Sequence, residues 1–116
     1  MSKAVPDKTR VLFVCSKNQW RSPTAEQIWR KHPQLSVRSG GTSQSARHTV
    51  NIEDIEWADV LIVMEDTHKT RLQASFGDAL KHKRLYVLDI PDEYSYMNEA
   101  LVAELSSSVA EILNLN

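Results

Sequence analysis

Apolar and polar positions fall into blocks along this chain. Val11-Leu12-Phe13-Val14 is a continuous apolar run rich in β-branched residues, the pattern of a strand buried on both faces, and it leads into Cys15. Asp59-Val60-Leu61-Ile62-Val63-Met64 repeats that pattern, Leu85-Tyr86-Val87-Leu88 is a fourth strand, and Leu35 to Ser39 is a shorter, alternating strand that Gly40-Gly41-Thr42 breaks. Between these runs the apolar period becomes helical. Ser22 to His32 is predicted as a helix, with Ser22 as its cap, Pro23 at the first helical position and Glu26 near its positive end. Ala25, Ile28 and Trp29 form its inward face, and Pro33 ends it. Asn51 to Trp57 reads as a short acidic helix anchored by Ile52, Ile55 and Trp57. Asp66 to Phe76 places Leu72 and Phe76 one turn apart and stops at Gly77. Glu99 to Leu113 carries the stripe Leu101, Leu105, Val109 and Ile112. Met1 to Thr9 reads as a loose polar tail, and Ser43 to Val50 and Asp89 to Met97 as loops.

Strands that alternate with helices specify one α/β domain over residues 1–116, with a four-stranded parallel sheet covered by helices on both faces. The three-layer α/β/α arrangement is expected to have strand order 2-1-3-4. In such sheets ligands sit at the carboxyl ends of the strands. Cys15, Ser39, Met64 and Asp89 mark those ends here and share one rim.

Composition narrows the function classes. The 116 residues are 41% hydrophobic and 25% charged, an ordinary globular balance. No apolar run is long enough for a membrane span and no secretory leader is evident, so a cytoplasmic protein without a membrane partner is expected. A single Cys allows no disulfide within the chain. CxxC and HExxH are absent and the four His are scattered, so no metal site is expected. Charge is divided: residues 1–47 hold nine Lys and Arg against two Asp and Glu, and the remainder holds five against thirteen. A basic stripe with interleaved aromatics is missing, which argues against a nucleic-acid partner. The basic half suits an anion site, and the acidic half can supply a proton donor.

The chemistry concentrates at the end of the first strand. A lone Cys there is ordinarily a small buried hydrophobe. Arg21 six residues on, Ser22 seven on and a helix start make a different proposition. Five intervening residues, Ser16-Lys17-Asn18-Gln19-Trp20, are enough to wrap a loop around a tetrahedral oxyanion with successive N–H groups pointing inward. The helix adds its positive end, and Arg21 can grip two oxygens in a fork. Ser22 can donate its hydroxyl to the sulfur, and Asn18 tolerates the left-handed conformation such a loop needs.

This segment resembles the low-molecular-weight protein-tyrosine phosphatase family, whose signature is a strand, a Cys, five residues, Arg-Ser-Pro and a helix. Val14-Cys15, Arg21-Ser22-Pro23, Ala25 and Glu26 match it, and Ser39-Gly40-Gly41-Thr42 is similar to the family's small-residue turn. The resemblance implies a cysteine-dependent phosphatase that acts on a phosphorylated protein or small aryl phosphate, without a metal or organic cofactor. It makes Cys15 the nucleophile and Arg21 the oxyanion clamp, with Ser16, Lys17, Asn18, Gln19, Trp20 and Ser22 holding the phosphate. The family's proton donor is the Asp of an Asp-Pro-Tyr triplet in a late loop. Asp92-Glu93-Tyr94 keeps the Asp-x-Tyr spacing, so Asp92 is favoured over Asp89 as the acid and Tyr94 is placed beside the substrate ring. Lys17 stands where the family usually has Gly, and Trp20 where it often has a second Cys. Alternatives are an arsenate reductase using an external thiol, a phosphocarrier that passes phosphate along, and a non-catalytic binder of phosphoproteins. His68, in the first turn of a helix after a strand, reads as a surface or hydrogen-bonded histidine, with a place lining the cleft as the alternative, and Arg38 and Arg47 read as solvated charges, with an extension of the basic rim as the alternative.

Overall fold

A computed structural model describes residues 8–115, so most of the expected N-terminal tail lies outside the described residues. The elements run β1 (Thr9–Cys15), α1 (Arg21–Trp29), β2 (Leu35–Gly41), α2 (Ile52–Trp57), β3 (Val60–Val63), α3 (Asp66–Leu80), β4 (Arg84–Val87) and α4 (Glu99–Leu113). All strand pairs are parallel and the order is β2-β1-β3-β4, as expected. β1 is central because its neighbours satisfy both of its edges, and Val11 to Val14 are fully buried. Its alternating side chains feed two separate cores. Val11, Phe13 and Cys15 pack with Ala25 of α1 and Leu101, Leu105 and Val109 of α4. Leu12 and Val14 pack on the other face with Ile55 of α2 and Leu72 and Leu80 of α3. Among the described residues no helix is long and apolar enough to cross a membrane.

Several boundaries differ from the expectation, each for a local reason. Thr9 belongs to β1, its N–H bonded to the Gln34 carbonyl at 3.0 Å. β2 does not break at the glycines but continues through Gly41, which pairs with Cys15. The small residues serve close approach instead: a Cβ on Gly41 would lie 2.4 Å from the Ser16 carbonyl oxygen. α1 begins one residue early, at Arg21, and ends at Trp29, and Ser22 does not cap it because its hydroxyl is used elsewhere. Pro23 is therefore the third helical residue. Ile52 is exposed, and α2 is anchored instead by Ile55 and by a capping box between Asn51 and Asp54. Gly77 does not stop α3. The helix kinks at Phe76 (φ −132°, ψ 27°) and runs on to Leu80, which reaches the second core.

Candidate active site

The loop between β1 and α1 is sorted by polarity. Its carbonyls face the protein: Cys15 O accepts from Thr42 N–H, Ser16 O from Ser43 N–H, and Lys17 O from Arg47 N–H, each at 3.0 Å. Asn18 O accepts from Arg47 Nε at 3.0 Å, and Trp20 O accepts from both the N–H and the hydroxyl of Thr24. Its amides do the reverse. Among the described residues, no N–H from Ser16 to Ser22 has an acceptor in the chain. Asn18 is fully buried, so its unpaired N–H is a donor waiting for a partner. The carbonyl bonds of Cys15 to Asn18 tie the loop to the segment after β2, and the amides are left free to donate, with the N-terminus of α1 behind them.

Asn18 closes the turn. It adopts φ 56°, while Lys17 stays out of the left-handed region. A Lys therefore fits this position, and its Nζ donates to Ser45 Oγ at 2.9 Å. The Asn18 side chain gives its Nδ2 hydrogens to Ser22 Oγ at 3.0 Å and Ser39 Oγ at 2.9 Å. Ser39 in turn donates to Glu26 Oε1 at 2.5 Å. Ser22 Oγ thus already accepts from Asn18, and it lies 3.0 Å from Cys15 Sγ and 3.3 Å from Gly40 O. The hydroxyl donates to the Gly40 carbonyl in this arrangement, and either atom of the Cys15–Ser22 pair can supply the proton between them. Cys15 is only 3% exposed and sits at the base of the loop.

Arg21 is 2% exposed, and a buried guanidinium requires partners. Its Nη1 meets Glu65 Oε1 at 2.5 Å and the Ile90 carbonyl at 2.8 Å. Its Nε faces Asp92 Oδ1 at 3.7 Å. One side chain on α1 therefore gathers the loops that follow β3 and β4. A small cavity of about 20 Å³ is lined by Cys15, Lys17, Gln19, Trp20, Arg21 and Asp92. Asp92 thus lines the cup's mouth, whereas Asp89, at φ 59°, does not line that cavity. Tyr94 packs half-buried against the first core and does not line the cavity either; Trp20, 45% exposed, is the aromatic residue at the mouth. A larger cavity of about 560 Å³ lies at the opposite rim, by Lys8, Gln34 and Arg84 at the strands' N-terminal ends, away from this chemistry.

Residues outside the loop complete the site, and of these the sequence reading did not single out Glu65. Glu65, Glu26 and Ser39 are partners of the loop, and Arg47 is one of its braces rather than a solvated charge. His68 is fully buried and doubly bonded. The Glu65 N–H donates to its Nδ1 at 3.0 Å, so the ring proton is on Nε2 and is donated to Ser16 Oγ at 2.9 Å. Burial, and next the nearby Arg21 charge, lower its pKa to about 4, which keeps the ring neutral. The legible sign of Glu65, His68 and Arg47 was position, each following a strand end on the rim that carries Cys15; Glu26 in α1 and Ser39 in β2 were legible from the resemblance.

Sequence comparison finds no matching family model and no matching curated protein. Comparison of structures finds extensive likeness. The chain is 23% identical to YwlE arginine phosphatase from Geobacillus stearothermophilus, with a TM-score of 0.70 over 91% of this chain and 93% of that one. It is 22% identical to the tyrosine phosphatase Wzb from Escherichia coli K30, solved with phosphate, with a TM-score of 0.72 over 91% and 99%. It is 17% identical to SP-PTP, a low-molecular-weight protein tyrosine phosphatase from Streptococcus pyogenes, with a TM-score of 0.71 over 90% and 93%. From strand order to chain coverage, the protein has the fold of the low-molecular-weight tyrosine phosphatases.

Proposed function

We propose that this protein hydrolyses phosphate monoesters, with phosphotyrosine and small aryl phosphates as its substrate class, through a phosphocysteine intermediate. The observation that carries this reading is the loop around Cys15, whose amides from Ser16 to Ser22 have no acceptor among the described residues while the carbonyls of Cys15 to Asn18 are held by the segment after β2. The Cys15 thiolate attacks phosphorus; the S–P bond forms as the ester P–O bond breaks. The loop amides and Arg21 hold the non-bridging oxygens as charge redistributes. Asp92 gives its proton to the departing oxygen, then takes one from the water that attacks phosphorus and breaks the S–P bond. Ser22 donates to the sulfur as it leaves. Trp20 offers a flat wall for an aryl group, and Tyr94 secures the Asp92 loop against the core. A lone reduced thiol of this kind fits a cytoplasmic setting.

The test is the pH dependence of p-nitrophenyl phosphate and phosphotyrosine hydrolysis, with phosphoarginine included because the Geobacillus relative is an arginine phosphatase. Cys15→Ser is expected to abolish turnover while still binding phosphate. Asp92→Asn is expected to lose on the order of 10²–10⁴ in kcat, together with the basic limb of the profile, and Asp89→Asn to keep most of its rate. Normal activity in Cys15→Ser would sink the reading.

A further inference from the structure

Beside the cup lies a second, wider depression of about 550 Å³, lined by Gln19, Trp20, Pro23, Glu26, Gln27, Arg30, Arg47 and Tyr96. Gln19 and Trp20 line both depressions, so the two adjoin. Its floor is one stripe of α1, since Pro23, Glu26, Gln27 and Arg30 lie at helical spacing i, i+3, i+4 and i+7. Its walls are two exposed aromatics: Trp20 from the cup, and Tyr96, 48% exposed, from the loop before α4. Among the described residues Arg30 has no ion-pair partner, and Arg47 uses its Nε on Asn18 O without pairing with any carboxylate. The one acidic group, Glu26, already receives the Ser39 hydroxyl. Two guanidiniums therefore face the groove against one engaged carboxylate.

We propose that this groove docks the polypeptide flanking the phosphorylated residue and selects a carboxylate side chain next to it. The inference rests on the phosphatase reading. An aromatic-walled trough that adjoins the cup suits a chain segment, because the rest of a substrate whose phosphate enters the cup lies near Trp20, which lines both. The exposed amides of Gln19 and Gln27 can pair with extended backbone, and the two arginines supply the charge complement for an acidic neighbour.

The test uses matched phosphotyrosyl peptides that differ only in Glu, Gln or Lys beside the phosphotyrosine. Turnover is measured on the wild-type protein and on Arg30→Glu, and binding is measured by calorimetry on both in the Cys15→Ser background. For the wild type, the ratio of kcat/KM between Glu and Lys peptides is expected to be about fivefold or more, from roughly 1 kcal/mol for an exposed pair. Arg30→Glu is expected to reverse that order, and the Kd values are expected to follow both. Because the readout is a ratio within each protein, a general loss of activity does not mimic the effect. Turnover with no flank preference, or with a preference that survives Arg30→Glu, overturns this inference and leaves the phosphatase reading standing. Selective binding without wild-type turnover overturns the phosphatase reading and keeps the groove. Neither binding nor turnover overturns both.

Discussion

A proton added to His68 Nδ1 would confront the Glu65 N–H that now donates to it. Above all it would bury a charge away from water, and it would also place a cation near Arg21 and Arg71, opposed by Glu65 and Asp92. Folding therefore holds the imidazole neutral, at a pKa of about 4 against the ordinary 6.5. Between those values the unfolded chain binds the extra proton, so stability falls as pH drops from about 6.5 towards 4. Urea melts over that range are expected to lose a few kcal/mol in the wild type, and His68→Asn is expected to flatten the slope by the histidine's share. That histidine illustrates how a residue escapes sequence reading. Its type and its place after a strand were visible, but its burial depends on the Ser16 hydroxyl, which lies 52 residues away in the chain. Cys15, Arg21 and Asn18 were legible because their spacing is local and the loop's geometry is set by the loop itself.

Glycines mark the elements in opposite senses. Gly40 and Gly41 suggested a break yet lie inside β2, and Gly77 suggested a helix end yet lies inside α3. Sequence shows that a side chain is missing, but not whether a neighbour or a turn requires this. The difference is measurable. Gly41→Ala puts a methyl against the Ser16 carbonyl and Ala46 and pushes on the cup. A destabilisation of about 1–3 kcal/mol is expected, with a fall in aryl phosphate turnover. Gly77→Ala meets open space at a residue without positive φ, and is expected to stabilise by about 0.5–1 kcal/mol in the same melts. The strands themselves were readable to within a residue or two: in β1 and β3 because burial on both faces leaves a continuous apolar signature, and in the partly exposed β2 and β4 from shorter apolar runs. Ile52 misled for the complementary reason: an apolar side chain on so short a helix has no obligation to face inward.

Across the whole molecule, the basic first half and acidic second half meet at one rim. Arg21, on α1, is tied to Glu65 after β3 and lies close to Asp92 after β4. A bound oxyanion would join the same gathering, so phosphate should stabilise the entire fold by mass action. At about one hundred times its Kd the expected gain is about 2.7 kcal/mol, read as a rise in melting temperature. Arg21→Lys is expected to shrink that rise, since an ammonium cannot form the fork. The layer order was open to sequence reasoning because parallel crossovers have few solutions. The ties between distant loops were not, since they join residues up to 71 positions apart. The whole protein contains one sulfhydryl, at the base of the cup, with Trp20 where a second could have stood. A peroxide that converts it to a sulfenic acid therefore meets no resolving thiol within the chain. Recovery depends on a reductant from outside arriving before a further oxygen makes the sulfinic acid and the damage permanent.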